Sequence, residues 1–147
     1  MSDRRKTYVE LPDGRKVRGR GLRLPFDGPD PDYGLYLGHQ PEVAWPHDNL
    51  DWPDFRLPRD SALAVSLIKA LHARAATERV EVACGGGIGR TGTVISCLAV
   101  LSGVPAEEAV AWTRAHYHPR AVETPWQKRW VRRFPSGGIC LPDWPSS

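Results

Sequence analysis

The stretch from Cys84 to Thr93, C-G-G-G-I-G-R-T-G-T, is the feature that most limits how this chain can fold. It follows a short β-prone run, R-V-E-V-A, and precedes a long apolar run, V-I-S-C-L-A-V-L, which predicts a strand, a glycine loop and a helix. Glycines let the loop curl tightly, and the helix that follows adds the positive end of its dipole. The backbone N–H groups of such a loop converge on one spot, so the stretch predicts an anion-binding site.

Two side chains of this loop carry chemistry that suits a bound phosphate. Cys84 stands at the mouth of the loop, where the same electrostatic field favours a thiolate. Arg90 follows six positions later and offers a planar, bidentate donor. The chemistry that fits is attack of the thiolate on a bound phosphoryl group. The alternative is a glycine-rich turn that contains a buried structural cysteine.

The loop resembles the signature of the cysteine-dependent protein tyrosine phosphatases, H-C-x5-R-[ST]. The closest form of that signature, H-C-S-A-G-x-G-R-T-G, is matched at Cys84, Gly87, Gly89, Arg90, Thr91 and Gly92. The chain departs from it at Gly85 and Gly86, and more seriously at Ala83, where the family has histidine. The resemblance implies that the phosphate is bound by Gly85, Gly86, Gly87, Ile88, Gly89 and Arg90.

An upstream stretch, D-W-P-D-F-R-L-P at Asp51–Pro58, matches a second motif of this family. Trp52, Pro53 and Asp54 align with the W-P-D loop that carries the general acid. A proton given to the departing oxygen is worth about two to four powers of ten in rate, and a mobile loop also excludes water. The resemblance therefore implies that Asp54 is the acid. The alternative is a solvated acidic turn between two prolines.

The run T-P-W-Q at Thr124–Gln127 has two interpretations. As local structure it predicts a capping box with proline at the first helical position. By resemblance it is the Q-T-x-x-Q loop that positions water for the second chemical step, with Glu123 in place of the first glutamine. Gln127 is then the first candidate for that role and Glu123 the second.

The resemblance implies an α/β fold with a short, largely parallel central sheet flanked by helices on both faces. It further implies a phosphomonoester hydrolase that needs no cofactor and acts through a cysteinyl-phosphate intermediate on phosphotyrosine proteins. Cys84 attacks, Arg90 holds the phosphate, Asp54 protonates the leaving oxygen, and the Thr91 hydroxyl assists the departing thiolate. No metal is expected, since H-Y-H-P-R at His116–Arg120 lacks the other clustered ligands of a zinc site.

Three alternatives remain open from the sequence. The departures at Ala83 and Glu123 are compatible with a pseudophosphatase that binds a phosphorylated ligand without turnover. The substrate can also be a non-protein phosphomonoester such as a phosphoinositide or a nucleotide, although the loop has no lysine for a highly charged inositol headgroup. A rhodanese-like sulfur transferase also uses a loop cysteine, but it has no use for a W-P-D acid.

Length and composition favour a single soluble domain, which the resemblance implies is a phosphatase domain. The 147 residues are enough to bury one core, and a net charge of +3 suits an anionic substrate without indicating a nucleic-acid partner. No apolar stretch is long enough for a membrane span, and the start M-S-D-R-R-K is not typical of a signal peptide. Three widely spaced cysteines favour a reducing cytoplasm, and we expect a monomer. The domain divides into a hairpin and loops over 1–50, a catalytic half over 51–134 and a tail over 135–147.

Local patterns predict the remaining elements. A hairpin at the sheet edge is expected over Thr7–Val17, and a loop over Gly19–Asp32. Short strands are expected at Leu35–Leu37 and Val43–Trp45. Asp60 should cap a helix whose buried stripe is Leu63, Leu67, Ala70 and Leu71. Further helices are expected over 91–102, with Cys97 in the core, from Pro105 to about His116, and after Thr124.

Overall fold

The computed structural model of the protein describes residues 8–24 and 28–135. Its strands are β1 (Tyr8–Glu10), β2 (Lys16–Gly21), β3 (Tyr33–Leu37), β4 (His47–Leu50) and β5 (Val80–Cys84). Its helices are α1 (Ser61–Arg74), α2 (Gly89–Leu101), α3 (Ala109–His116) and α4 (Pro125–Arg132), and a short 3-10 turn, Ala106–Glu108, precedes α3. Most of the expected tail, from residue 136 onward, lies outside the described residues.

The five strands form one sheet in the order β1-β2-β5-β3-β4. Only β1 runs antiparallel to its neighbour, and the other pairs are parallel. The prediction of an α/β fold with a largely parallel sheet is confirmed. Because β5 lies at the centre, between β2 and β3, it delivers Cys84 to the carboxyl edge of the sheet, where ligands bind in open α/β folds.

One face of the sheet carries the apolar core. Val82 and Cys84 of β5 and Leu35 of β3 belong to this core, with α2 packed against β5 and β2. Every residue of α2 from Gly89 to Val100 is buried, which explains why its sequence is apolar on nearly all sides. Cys97 is fully buried there, as predicted. Within the described residues, no helix combines the length and the apolar character that a membrane span requires.

Several local predictions are confirmed, and three need correction. The edge hairpin is present, and Asp60 caps α1 by accepting a hydrogen bond from the Leu63 N–H at 3.0 Å. However, β2 continues to Gly21, so the expected loop begins later than Gly19. The strand expected at Val43–Trp45 is absent, and His47–Leu50 forms β4 instead, because parallel pairing with β3 decides the position.

The third correction concerns which face of α1 is buried. Of the predicted stripe, Leu71 is buried as expected and Leu67 is half-buried, but Ala70 is exposed and Leu63 is 45% exposed. The buried residues of α1 are Ser61, Ala64, Ile68 and Leu71. Because α1 has apolar residues on several sides, the elements that pack against it determine which side is buried. One of those elements is α4, whose Trp130 indole N–H donates to Ser61 Oγ at 3.2 Å.

The second face of the sheet carries a buried cluster of charged groups around Glu81, three residues before Cys84. The Glu81 carboxylate accepts hydrogen bonds from Arg18 Nη2 at 2.8 Å, Arg20 Nη2 at 3.1 Å and the Tyr36 hydroxyl at 2.7 Å. Burial alone would raise the pKa of Glu81, but the hydrogen bonds from Arg20 and Tyr36 and the charges of both arginines hold it below its ordinary value. The cluster joins β2, β5 and β3.

We expect Glu81→Gln to lower the free energy of unfolding by about 3–5 kcal/mol at pH 7, because it removes the buried carboxylate charge to which Arg18 and Arg20 donate. Urea unfolding at pH 7 measures this loss. Since the folded-state pKa of Glu81 is lowered, its contribution is present above the unfolded-state pKa and disappears as the pH falls through the folded-state pKa. The difference between variant and wild type should therefore shrink below about pH 4.5.

The matched control is Glu78→Gln, which removes an exposed carboxylate paired with Arg74 at 3.1 Å. An exposed pair of this kind contributes less than about 1 kcal/mol. If both variants lost the same small amount, the Glu81 cluster would not stabilise the fold.

Candidate active site

The glycine loop runs from the end of β5 at Cys84 to the start of α2 at Gly89. Gly87 has a φ of +75°, and a Cβ at this position would lie 2.6 Å from the backbone nitrogen of Gly21. A side chain here would therefore clash with the neighbouring strand as well as strain the backbone. The loop can close on itself only because this position is glycine.

The Cys84 sulfur receives two hydrogen bonds from its own loop and helix. The Gly87 N–H donates to Sγ at 3.2 Å, and the Thr91 hydroxyl donates to it at 3.1 Å. The side chain is almost completely buried. Two hydrogen-bond donors thus converge on one sulfur, beside the N-terminus of α2.

The Arg90 guanidinium is held by two backbone carbonyl groups from outside the glycine loop, those of Leu37 and Trp52. Its Nη1 donates to the carbonyl oxygen of Trp52 at 2.9 Å and approaches that of Leu37 at 3.4 Å. Gly38, with a φ of +74°, leaves the space that the guanidinium occupies, since a Cβ there would collide with Nη1. The protein itself therefore holds the head group in place. Arg90 also ties the segment 52–56, named the acid loop for the role predicted for Asp54, to the glycine loop 84–89, named the phosphate loop for its predicted role.

Asp54 of the W-P-D motif faces the same loop. Its Oδ1 lies 3.5 Å from Arg90 Nη2, and its side chain is 47% exposed. Trp52 is fully buried, and its ring packs edge-on against Trp130 with centroids 5.7 Å apart. The motif thus has an apolar anchor at one end and a half-exposed carboxylate over the loop at the other.

The first turn of α4 holds the acid loop by two side-chain hydrogen bonds. Trp126 donates its indole N–H to the Phe55 carbonyl at 2.6 Å, and Gln127 Nε2 donates to the Arg56 carbonyl at 3.1 Å. Trp52 donates to the same Arg56 carbonyl at 2.7 Å. Phe55 has a φ of +62°, which is unfavourable for a bulky residue and persists only where neighbouring contacts enforce it.

Gln127 also forms the predicted capping box, which is confirmed. Its Oε1 accepts from the backbone N–H groups of Glu123 at 3.0 Å and Thr124 at 3.2 Å. The side chain is fully buried. Both ends of the amide are therefore engaged by the protein, and the role of Gln127 in placing water stays a prediction.

Glu123 reaches into the site from the residue before the cap. Its carboxylate lies against Gly89, at a position that a Cβ on that glycine would occupy. Burial and then the charge of Asp54 raise the pKa of Glu123, and Arg120 and Arg90 oppose the shift only in part. A carboxyl group that holds its proton longer than usual thus stands beside the phosphate loop.

These side chains enclose one cavity of about 210 Å³. It is lined by Arg23, Asp54, Phe55, Cys84, Gly86, Ile88, Gly89, Arg90 and Glu123. The structure thus brings Cys84, Arg90 and Asp54 together, with Thr91 behind the sulfur. A larger cavity of about 740 Å³ lies beside Tyr8 and Arg79 and contains none of these groups.

Three residues at the site were not identified from the sequence. Tyr117, the second residue of H-Y-H-P-R, donates its hydroxyl to the Gly87 carbonyl at 2.5 Å and so supports the loop from behind. Arg23 and His39 both lie against Gly85. Burial, and then the charges of Arg90 and Arg23, lower the pKa of His39. Nothing in the local sequence around these three residues indicates contact with a loop that lies far along the chain.

Ala83, which replaces the expected histidine, is fully buried within β5. It offers no hydrogen bond to the loop. The donors that orient the loop and its sulfur are Gly87, Thr91 and Tyr117.

A family model described as the Swiss Army Knife protein, DSP-PTPase phosphatase domain (PTP-SAK), matches residues 45–139, well over half of the chain. Among solved structures, the active form of Tk-PTP is 22% identical and has a TM-score of 0.67, over 89% of this chain and 97% of that one. A glycine-to-alanine mutant of Tk-PTP is 23% identical with a TM-score of 0.68, over 86% and 93%. PTPMT1 is 16% identical with a TM-score of 0.56, over 70% and 74%. The TM-scores show a shared fold. No curated protein matches the chain significantly.

Proposed function

The chain belongs to the Swiss Army Knife protein, DSP-PTPase phosphatase domain family and is a protein-tyrosine-phosphatase-like hydrolase, and we propose that it dephosphorylates phosphotyrosine proteins through a cysteinyl-phosphate intermediate without a metal. The observation that carries the proposal is the Cys84 sulfur, which receives two hydrogen bonds at 3.1–3.2 Å and shares a cavity with Arg90 and Asp54. Nucleophile, anion-binding group and acid are thus within one site.

In the first step the Cys84 thiolate attacks the phosphorus of the bound ester. The loop amides and Arg90 stabilise the charge that spreads over the phosphoryl oxygens. The S–P bond forms as the bond between phosphorus and the ester oxygen breaks. Asp54 gives its proton to that oxygen, so the alcohol leaves neutral.

In the second step a water attacks the phosphorus of the cysteinyl phosphate, and the S–P bond breaks. The water gives up a proton to a carboxylate, inorganic phosphate is released, and the thiolate is restored with the Thr91 hydroxyl as donor. We assign the placement of this water to Glu123, because its carboxylate lines the cavity whereas the Gln127 amide is engaged by backbone groups. Asp54 or Glu123 then takes the proton.

The phosphotyrosine preference is supported by the aromatic side of the cavity. Phe55 lines it, is 52% exposed, and lies next to Trp126, which is 47% exposed. An aromatic ring entering beside Phe55 gains an aromatic pair worth about 0.5–1.5 kcal/mol, or roughly 3- to 10-fold in affinity. An aliphatic phosphoserine gains no such contact.

We expect the purified protein to hydrolyse p-nitrophenyl phosphate and a phosphotyrosine peptide in the presence of EDTA. The phosphotyrosine peptide should exceed a phosphoserine peptide of the same sequence by about 3- to 10-fold in kcat/KM. Acid-quenched protein should carry phosphate on Cys84 by peptide mass spectrometry. Binding of the peptide without turnover would support a pseudophosphatase, and turnover of only non-protein esters would remove the substrate assignment.

A further inference from the structure

Arg23 lines the cavity of the candidate active site, and the two chemical steps do not use it. Its backbone is fixed to the phosphate loop, because β2 continues its pairing beyond the strand end. The Leu22 N–H donates to the Cys84 carbonyl at 2.8 Å, and the Arg23 N–H donates to the Gly85 carbonyl at 3.0 Å. The position of this arginine relative to the nucleophile is therefore set by the fold.

The guanidinium of Arg23 lies over Gly85. Its Cζ and Nη2 are each 3.0 Å from the point where a Gly85 Cβ would stand, and His39 Nε2 is 3.1 Å from the same point. An alanine at position 85 would have to displace one of these groups. The glycine that departs from the family signature thus provides the space into which both side chains fit.

Within residues 8–24 and 28–135, no carboxylate forms an ion pair with Arg23. The nearby acids have other neighbours, since Asp54 lies 3.5 Å from Arg90 and the Glu123 carboxylate lies against Gly89. Arg23 is an exposed residue, and it lines the cavity. A cation next to an anion-binding loop, with no ion pair to a carboxylate of the described residues, is complementary to an anionic ligand.

We propose that Arg23 forms a subsite for a second anionic group of the substrate, either an acidic side chain or a second phosphoryl group of the same phosphopeptide. The proposal rests on the proposed function, because it takes the reacting phosphate to be bound by the loop and Arg90. Arg23, Arg90 and Cys84 line the same cavity of about 210 Å³, so a phosphate bound at the loop and a second anionic group at Arg23 would share one site.

The test measures binding separately from turnover. Three phosphotyrosine peptides of otherwise identical sequence carry glutamate, glutamine or phosphoserine on both sides of the phosphotyrosine. Their dissociation constants are measured by calorimetry on the Cys84→Ser protein, with and without Arg23→Ala. The control is Arg132→Ala, which also removes one positive charge, but from the exposed side of α4.

We expect the glutamate peptide to bind about 10-fold more tightly than the glutamine peptide, the gain typical of one charge-assisted hydrogen-bonded pair. Arg23→Ala should reduce the ratio to below about 2, Arg23→Lys should leave an intermediate ratio, and Arg132→Ala should leave it unchanged. A larger gain for the phosphoserine peptide than for the glutamate peptide would identify the second group as a phosphate.

Equal binding of the glutamate and glutamine peptides would overturn the subsite, as would an equal loss in the Arg132→Ala control. If wild type hydrolyses p-nitrophenyl phosphate but shows no acidic preference, only the subsite is wrong. If the acidic preference is present and depends on Arg23 but wild type hydrolyses no ester, the subsite stands and the proposed hydrolysis is wrong. If neither peptide binds, both proposals are wrong.

Discussion

Replacing Cys84 with serine should lower kcat/KM for aryl phosphates by at least about 10⁴-fold, the scale of loss when an enzyme's nucleophile is removed. Serine preserves the size of the side chain and can still accept hydrogen bonds from Gly87 and Thr91, which now lie 3.2 and 3.1 Å from the sulfur. Its hydroxyl, however, stays protonated in a site built to stabilise an anion. The loop amides and Arg90 are unchanged, so the variant should still bind inorganic phosphate and vanadate.

The matched control is Cys97→Ala. Cys97 is the other cysteine of the described residues, and burial in α2 raises the pKa of its thiol far above the ordinary value. Its removal should leave kcat/KM within about 3-fold of wild type, at some loss of stability from a small cavity. Iodoacetate should inactivate the Cys97→Ala protein as fast as wild type. Substantial activity in Cys84→Ser would exclude the thiolate mechanism.

The variant Arg90→Lys tests whether the site needs a guanidinium group or only a positive charge. Lysine at this position carries the charge but cannot reach the Trp52 carbonyl and the phosphate together as a planar fork. The same change would also untie the acid loop from the phosphate loop. Arg90→Lys, like Cys84→Ser, should therefore lose most of the activity. Unlike Cys84→Ser, it should also weaken phosphate binding.

The sequence predicted the catalytic half of the fold because the relevant signals are local. A strand, a glycine loop and a buried helix follow each other between Val80 and Leu101, and the helix caps at Asp60 and Thr124 depend on neighbours three residues away. Such patterns fix φ, ψ and hydrogen-bond partners within one segment. The W-P-D motif added Asp54 by resemblance, and the fold brings it to Arg90 at 3.5 Å.

The features that escaped prediction depend on contacts between distant segments. Tyr117 meets Gly87 across 30 residues, and Arg18 meets Glu81 across 63. From the sequence alone a buried arginine such as Arg18 resembles a surface residue, because its partner lies on another strand. The prediction of the buried face of α1 needed correction for the same reason. The packing of Ser61 against Trp130, 69 residues away, helps to determine which face is buried.

Asp54 and Glu123 should divide the two chemical steps between them. Asp54→Asn should slow the first step by about 10²–10⁴-fold for esters with poor leaving groups, because those need the proton. An activated ester such as p-nitrophenyl phosphate should lose much less. Rates measured for a series of aryl phosphates should therefore depend more steeply on the leaving-group pKa in this variant than in wild type.

Glu123→Gln should instead slow the breakdown of the cysteinyl phosphate and leave its formation nearly unchanged. Rapid mixing with p-nitrophenyl phosphate should then give a burst of p-nitrophenol equal to the enzyme concentration, followed by a slow steady rate. Glu123→Gln also removes a carboxylate that faces Asp54 and Arg90 and keeps its proton to higher pH than usual. If Asp54→Asn produced the burst and Glu123→Gln did not, Asp54 would act in both steps, as the acid in the first and as the base in the second, and Glu123 would only shape the cavity. Equal losses on activated and poor leaving groups in Asp54→Asn would make Asp54 a structural residue of the loop rather than its acid.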